Sequence, residues 1–499
     1  MTMQMPVGVK SGFETRKAGG VFPLASGAAI VLLLLGGIGP NFLFAVLAAI
    51  IFVLGIVLLF RPGQSPLLVF IFFLPWLQAS IGIFHANWLG IALHDYSPYY
   101  SSFWGDMDGA ALLSLLGVGT LAIGMRWGTQ GLDSSVFSAA RETALSWPLS
   151  RWFRLYLVAF GASFVILIFA WVIPGLSQIL LALAGLKWAF YYMLAYSALA
   201  KKRTRSIFFL GPFLLEFGSG IGGFFSDFKT VLLVTILAFA ASGTKLNARH
   251  VASLGLLGAL LLTFMVAWTA VKVDYRDYIN QGSGLQVVNV DYTSRIGKLT
   301  DLVTALDGST LTKGVNKLLH RLSYVEYFAV ALKTVPNSIP HQGGAITLDA
   351  IVRPFMPRLF FPDKAVIADS ERTNRYARGL AGDTKGTSIS LGYIAEFYID
   401  FGPYLMFAPL LAIGWLYGRI YRYLLSNQAS RGLLGMGLAT SILISVGPLE
   451  NSFTKIFGGV AVGFLVAQLL VRIVIPAFAP WIMMSRSIVP SEKRNDRPF

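Results

Sequence analysis

The sequence contains no cysteine in 499 residues and little charge, since only 13% of its residues are Asp, Glu, Lys or Arg. The missing cysteine excludes disulfides, thiolate nucleophiles and thiolate metal sites. The scarcity of charge, with 55% hydrophobic residues and a mean hydropathy of +0.66, is not typical of a water-soluble domain. We therefore predict an all-α polytopic integral membrane protein, because helices satisfy their own backbone hydrogen bonds in a bilayer.

Apolar stretches recur along the chain at the length, about 20 residues, that crosses a ~30 Å hydrocarbon core. We predict about twelve transmembrane helices, near 21–39, 41–60, 66–84, 109–125, 155–173, 176–200, 206–224, 229–243, 251–271, 388–420, 432–449 and 456–477. The 388–420 segment is long enough to contain a break near Gly402-Pro403. The first apolar run has no small-residue cleavage pattern, so we expect a retained helix and not a signal peptide.

The distribution of lysine and arginine predicts the orientation, because short cytoplasmic loops retain positive charge. With the N-terminus inside, the inner segments and tail carry twenty-one of these residues, and the short outer loops carry two, Lys229 and Lys455. Both termini are expected in the cytoplasm. The predicted organisation is a cytoplasmic tail at 1–20, about nine transmembrane helices in 21–271, a large extracytoplasmic loop at 272–387, transmembrane helices in 388–477 and a cytoplasmic tail at 478–499.

The large loop, residues 272–387, holds fifteen Lys and Arg against eleven Asp and Glu. From Arg353 onward the bases alternate with prolines, which stiffen the backbone. Guanidinium groups on such a loop suit the oxygens of a phosphate. The alternative is that they pair with acids of the same segment. We expect an anionic ligand here and no nucleic acid, because the remaining positive charge is spread along the inner loops and forms no recognition face.

Several titratable residues near the large loop are candidates for acid–base chemistry. Glu396 and Asp400 lie on the apolar helix that follows the loop, where a carboxylate is costly unless it is used or paired. Residues 317–336 are predicted to form one amphipathic helix that presents His320 and Glu326 on its polar face. His320, and His341 shortly after it, are candidate bases or substrate contacts. The alternative for both is an ordinary solvated position.

Other charged positions have a structural and a functional interpretation. Lys187 either pairs with Glu216 inside the membrane or binds a lipid phosphate. Asp106-Met-Asp108 matches a weak D-x-D metal motif, but aspartate also caps helices well, so we predict no metal site. Lys229 lies at the outer start of a predicted helix, where a cation is unfavourable to the helix dipole and a nearby anion would explain it.

The order of these segments resembles that of Wzy-type oligosaccharide repeat-unit polymerases. The resemblance is carried by R-P-x-x-P-R-x-x-x-P-D-K, from Arg353 to Lys364, and by G-x-x-x-E-F-Y-x-D-F-G, from Gly392 to Gly402, followed by further spans. The turn that ends in Lys229 also resembles the place where relatives, O-antigen ligases included, carry an arginine. Lysine is a departure from that pattern and weakens a strict bidentate role for this position.

The resemblance implies a C-type glycosyltransferase-like fold in the bacterial inner membrane that polymerises polyprenyl-pyrophosphate-linked oligosaccharides on the extracytoplasmic face. It implies no cofactor, membrane lipid as surroundings, and a flippase and a chain-length regulator as candidate partners. Glu396 is then the first candidate base, with His320 and His341 behind it. The residues expected to bind the pyrophosphate are Arg353, Arg358, Lys364, Arg372, Arg375 and Lys229.

Two alternatives stay open at this point. A ligase would join the same donor to a different acceptor and would share this layout. A transporter or flippase for the lipid-linked saccharide should line its central helices with charge and show two related halves. The middle spans here are nearly free of charge, and the sequence has no internal repeat.

Overall fold

The computed structural model describes residues 21–61, 63–96, 105–220, 228–243, 248–283, 288–356, 358–361, 363–364, 369–382, 388–474 and 476. Within these ranges the protein is all-helical, with twenty α-helices and no strand. The helices are α1 Val21–Leu32, α2 Phe42–Leu59, α3 Leu67–Leu89, α4 Met107–Gly128, α5 Ser135–Ser146, α6 Leu149–Val172, α7 Ser177–Gly185, α8 Lys187–Ala200, α9 Ile207–Gly220, α10 Phe228–Ala241, α11 Ala248–Ile279, α12 Tyr292–Thr304, α13 Gly308–Leu322, α14 Glu326–Thr334, α15 Ala345–Val352, α16 Asp369–Tyr376, α17 Tyr393–Leu405, α18 Phe407–Ser426, α19 Leu433–Leu443 and α20 Phe453–Leu469.

Six helical segments of the described chain are long and apolar enough to cross a membrane. They are Phe42–Leu59, Leu67–Leu89, Met107–Gly128, Leu149–Ala170, Ser177–Ala200 and Phe453–Val474. A bent pair formed by α17 and α18 makes a seventh if it is counted as one span. Four shorter apolar helices lie at Val21–Gly37, Ile207–Gly220, Phe228–Ala241 and Leu433–Val446. The all-helical class is confirmed, and the number twelve and the orientation stay predictions.

The predicted break at Gly402-Pro403 is confirmed. The axes of α17 and α18 differ by 119°. Gly402 has φ 76° and ψ −178°, a conformation that side chains with a Cβ rarely adopt. Pro403 follows it and has no backbone N–H to donate to the helix. The chain therefore turns sharply at Gly402, shortly after the large loop ends. The segment of α17 before this turn is a separate helical arm with its own contacts.

Helices α4 and α18 meet backbone to backbone. Four glycines form the contact, at Gly124, Gly128, Gly414 and Gly418. A Cβ at Gly124 would lie 2.4 Å from the carbonyl oxygen of Leu411, and a Cβ at Gly418 would lie 2.3 Å from that of Met125. Each helix thus carries a G-x-x-x-G pair on the shared face, the spacing that lets membrane helices approach closely.

Lys187 and Glu216 form a buried ion pair, as the structural interpretation predicts. The Lys187 Nζ lies 2.7 Å from Glu216 Oε2, and the side chain of Glu216 is 2% exposed. The hydroxyl of Tyr156 donates to Oε1 of the same carboxylate at 2.9 Å. Both oxygens of Glu216 are engaged, so this pair ties α8 to α9 and α6.

The single helix predicted over 317–336 is wrong, because the structure divides it into α13 and α14. Ser323 leaves the helical conformation with ψ 81°. The N–H of Tyr324 donates to the carbonyl oxygen of Gln78 in α3, at 3.3 Å, and not to the preceding turn. A tertiary hydrogen bond thus replaces a helical one, and the direction of the chain changes before α14.

Glu326 is buried in α14, although the amphipathic pattern assigned it to the polar face. It is 4% exposed, and its Oε1 has no hydrogen-bond partner among the described residues. Burial raises the pKa of its carboxyl to about 8. The break before α14 explains the error, because it rotates the second helix relative to the first.

Candidate functional site

Glu396 connects the first arm of the broken helix to the large loop. Its Oε1 accepts a hydrogen bond from Arg372 Nη1 in α16, at 3.0 Å. Its Oε2 accepts one from the backbone N–H of Phe453 at the start of α20, at 2.7 Å. Glu396 is 1% exposed, and both of its oxygens are engaged. In this geometry Glu396 holds Arg372 in place and does not present a free oxygen to a substrate, which differs from the base role predicted for it.

Asp400 lies one turn after Glu396 and holds a second helix of the large loop. Its Oδ1 accepts from the backbone N–H of Ile346 at 3.1 Å, and its Oδ2 accepts from the N–H and hydroxyl of Thr347 at 2.7 and 2.6 Å. These N–H groups belong to the first turn of α15, whose N-cap is Gly344 and supplies no side chain. Asp400 therefore replaces the missing cap and stabilises the positive end of the helix.

Four of the predicted phosphate-binding residues gather around α15, and we call them the arginine group: Arg353, Arg358, Lys364 and Arg372. Asp349 Oδ2 lies 2.7 Å from Arg353 Nε and 3.9 Å from Arg372 Nη2. The Nζ of Lys364 donates to the carbonyl oxygens of Arg353 and Met356, at 2.6 and 2.9 Å. The structure therefore brings together residues that are up to nineteen positions apart in the sequence.

The charges of the arginine group influence one another. Burial lowers the pKa of Lys364, the positive charges of Arg353 and Arg358 lower it further, and Asp349 partly offsets them. Burial also acts to lower the pKa of Arg372, but its contact with Glu396 outweighs this and the net shift is upward. Positive charge is thus concentrated beside α15 and the first arm of the broken helix, α17, with the guanidinium of Arg372 protonated.

Two other predicted phosphate ligands are not joined to this group by any described contact. Arg375 is exposed on α16, with its guanidinium 5.4 Å from the ring centre of Tyr376. Lys229 is exposed at the start of α10. Its neighbour Asp227 lies outside the described residues.

His341 faces the bend between α17 and α18. Its Nδ1 lies 3.1 and 3.3 Å from the carbonyl oxygens of Tyr398 and Ile399, so Nδ1 is the protonated nitrogen of the neutral ring. Its Nε2 is then the proton-accepting nitrogen, and it lies 3.4 Å from the place where a Cβ would stand on Gly402. The backbone of His320 belongs to α13, but its side chain lies outside the described residues.

A second cluster of cations, which the sequence did not predict as a site, lies between α11 and α13. We call it the α11–α13 group: Lys272, Arg276, Lys317 and Arg321. Burial, followed by the charges of Arg321, Arg276 and Lys317, lowers the pKa of Lys272 to about 8, and Glu450 acts in the opposite direction. The sequence contained a signal for this cluster, because each helix contributes two bases spaced four residues apart, which share one helix face.

A polar track connects the two groups. Glu450 accepts from Gln78 Nε2 at 2.9 Å, and Tyr324 is within electrostatic reach of Glu450, Arg321 and Asp369. Asp369 is fully buried and accepts from Lys455 at 2.8 Å. Its Oδ1 has no hydrogen-bond partner among the described residues. Asp369 also lies within electrostatic reach of Arg372, so the track ends in the arginine group.

The Asp106-Met-Asp108 segment is a helix cap, as the structural interpretation predicts. Asp106 Oδ1 accepts from the N–H of Gly109 at 2.9 Å at the start of α4. His94 is 65% exposed and lies 3.6 Å from both Asp95 and Asp108. No group of three metal-binding side chains is found in the part of the chain that the structure describes.

The sequence matches the family described as Domain of unknown function (DUF8712) over residues 135–491, which is most of the chain. The matched region includes the large loop, the broken helix and α20. No curated protein matches the sequence. No solved structure matches it.

Proposed function

We propose from its geometry that this protein is a membrane glycosyltransferase. The chain belongs to the family described as Domain of unknown function (DUF8712). Its substrates would be polyprenyl-pyrophosphate-linked oligosaccharides, which it would polymerise on the extracytoplasmic face of the bacterial inner membrane. The resemblance to Wzy-type polymerases supports this proposal, and so does the grouping of four predicted phosphate ligands around α15 and the first arm of the broken helix.

One observation carries the proposal most directly, which is the presence of two separate cation groups joined by a polar track. In the arginine group, Arg353 and Arg372 contact two carboxylates, Asp349 and Glu396, and Arg358 and Lys364 add two further cations. In the α11–α13 group, Lys272 is within electrostatic reach of the other three cations and of Glu450. A polymerase must hold two pyrophosphate-linked substrates at once, a donor chain and an acceptor unit. A ligase holds a single pyrophosphate-linked substrate, so the second cation group favours polymerisation.

The proposed reaction transfers the growing chain from its lipid pyrophosphate to the incoming unit. An acceptor hydroxyl oxygen attacks the anomeric carbon of the donor, and the bond from that carbon to the pyrophosphate oxygen breaks. The lipid pyrophosphate leaves with the bonding electron pair, and the arginine group stabilises its charge. The acceptor proton passes to a base. We assign that role to His341 through Nε2, and we assign Glu396 to the positioning of Arg372.

The test is an incubation of purified full-length protein in detergent with a polyprenyl-pyrophosphate repeat unit, without ATP, nucleotide sugar or added metal. We expect a ladder of lipid-linked products that grows by whole repeat units on a gel. A unit that persists but joins an added second acceptor would identify a ligase. A unit that persists but crosses a liposome membrane would identify a transporter. Either result overturns the proposal.

Variants then test the assigned residues. Arg358→Ala removes one cation of the arginine group. Arg372→Lys keeps the charge but loses the planar fork of arginine. Each variant should reduce ladder formation at least tenfold. His341→Gln should abolish it with normal substrate binding. Lys298→Ala is the matched control, since the Lys298 ammonium lies over the ring of Tyr278 and belongs to neither group. Full activity in Arg358→Ala and Arg372→Lys would refute the pyrophosphate role.

A further inference from the structure

A cavity of about 250 Å³ opens at the end of the bundle opposite the large loop. The backbone N–H of Asp106, just before α4, donates to Ala329 in α14 at 2.9 Å. Arg126 stands near the other end of this 22-residue helix, roughly 30 Å away at 1.5 Å per residue. The cavity lies at that far end, between the α2–α3 connection and the end of α4. It is therefore separate from the site described above.

Two arginines, Arg61 and Arg126, line this cavity. Burial lowers the pKa of Arg61, and the positive charge of Arg126 lowers it further, so the two cations lie within electrostatic reach of each other. Neither guanidinium forms an ion pair within the described ranges, and the described lining includes no carboxylate. The Nη1 of a third arginine, Arg422, donates to the carbonyl oxygen of Gln130, which lines the cavity. Like charges beside a cavity without a counter-charge favour an anionic occupant.

The same wall carries neutral polar groups besides the charges. Gln64, Ser65 and Thr129 line the cavity. The Ser65 hydroxyl lies beside the hydroxyls of Tyr192 and Tyr421, so it belongs to the packing of the wall. The donor set that the cavity offers to phosphate oxygens is therefore the two guanidiniums, with Gln64 and Thr129 nearby.

The remaining walls are apolar, with Leu58, Leu59 and Leu68 on the helices that flank the arginines. The volume greatly exceeds the roughly 30 Å³ that one water occupies in the liquid. An apolar wall beside a phosphate-binding end fits the junction between a lipid headgroup and its hydrocarbon. Arginines that serve only to orient the chain need not face one another in a cavity, since membrane orientation depends on the charge of a loop and not on its local geometry.

We propose that this cavity binds a phosphate ester, with an anionic phospholipid headgroup as its source, held by Arg61 and Arg126. The site does not depend on the glycosyltransferase activity proposed above. It lies at the opposite end of α4, and its occupant is part of the membrane and is not consumed.

Native mass spectrometry of the delipidated full-length protein tests the proposal. The protein is titrated with phosphatidylglycerol, with zwitterionic phosphatidylcholine and, separately, with inorganic phosphate. We expect one phosphatidylglycerol molecule to bind at least tenfold more tightly than phosphatidylcholine. Arg61→Gln/Arg126→Gln should remove this preference.

Two controls keep the result interpretable. Arg61→Lys/Arg126→Lys keeps the charge that orients the chain and should retain part of the binding. Arg154→Gln removes an exposed arginine near the start of α6 and should change nothing. If inorganic phosphate competes with the lipid, the phosphate chemistry is supported and a soluble ester becomes the source. Binding of phosphatidylglycerol that is equal in wild type and in a folded Arg61→Gln/Arg126→Gln variant would overturn the proposal.

Discussion

Asp400 Oδ2 lies 2.7 Å from the backbone nitrogen of Thr347, so a carboxylate on the broken helix α17 caps a helix that precedes it by 53 positions. The helix it caps, α15, carries Asp349 and leads directly into Arg353. Because α15 has glycine at its own N-cap, its position depends on a residue from another element. The arrangement of the arginine group therefore depends on the conformation of the broken helix.

We predict that Asp400→Ala leaves the first turn of α15 without its acceptors and displaces Asp349 and Arg353. Loss of an N-cap costs about 0.5–2 kcal/mol. Polymer yield in the reconstituted assay should fall at least tenfold, and hydrogen exchange should rise in the first turn of α15. Thr347→Val removes only the hydroxyl bond and should have a smaller effect. Unchanged exchange in α15 of Asp400→Ala would contradict the capping role.

Glu326 should make the folded protein less stable at alkaline pH. Its folded pKa of about 8 exceeds the ordinary value of 4.5, so the folded state holds this proton more tightly than the unfolded state. The stability is fully present below about pH 4.5 and is lost as the pH rises through 8. Glu326→Gln should therefore melt at a higher temperature than wild type at pH 9 and at the same temperature near pH 4.5.

The matched control for this measurement is Glu371→Gln, which changes an exposed carboxylate on α16. Its melting temperature should follow that of wild type at both pH values. A melting temperature of Glu326→Gln that tracks wild type across the whole range would show that Glu326 is not buried in its protonated form.

Lys272 should give substrate binding a pH dependence. Its pKa of about 8 means that the ligand-free protein loses this positive charge as the pH rises past 8. A lipid-linked repeat unit is a pyrophosphate diester, whose own charge is constant from pH 6 to 9. Its affinity should decrease by up to about tenfold per pH unit above 8. Lys272→Arg should bind with nearly constant affinity over this range, and equal pH profiles for the two proteins would refute the assignment.

The glycine contact between α4 and α18 should tolerate no side chain. Gly418→Ala places a methyl group 2.3 Å from the carbonyl oxygen of Met125, and overpacking of this kind costs typically about 1–3 kcal/mol. The melting temperature in detergent should fall by several degrees. Gly161→Ala, on α6, meets nothing within 4 Å and should leave it unchanged or raise it slightly. Equal melting temperatures for the two variants would contradict the close approach.

Much of the fold was predictable because it depends on local composition. Long apolar runs predicted the helices, Gly402-Pro403 predicted the bend, and the shared apolar setting of Lys187 and Glu216 gave their pairing as one of two alternatives. These features are set by bilayer thickness, by backbone conformation and by the cost of an isolated buried charge. The roles at the site depend on tertiary contacts, and the sequence was less informative about them.

Glu396 illustrates this difference. Its motif and its position on an apolar helix marked it as important, but nothing in the local sequence showed that both of its oxygens are occupied, one of them by a backbone N–H 57 positions later. The division of 317–336 likewise depends on a hydrogen bond to α3. The α11–α13 group was missed because the bases on one helix are more than forty positions from those on the other, although the spacing of bases within each helix was visible.

The backbone contact between α4 and α18 has a mechanical consequence. Side chains packed between helices can change rotamer and absorb a small displacement, but these glycines leave no such layer, and a packed interior transmits strain. The two helices cannot separate or slide without breaking several contacts together, so they move as one rigid unit. One end of this α4–α18 pair adjoins the bend at Gly402, and the other end carries Arg126 and Tyr421 in the wall of the far cavity. We expect a rotation imposed at one end to strain the contacts at the other.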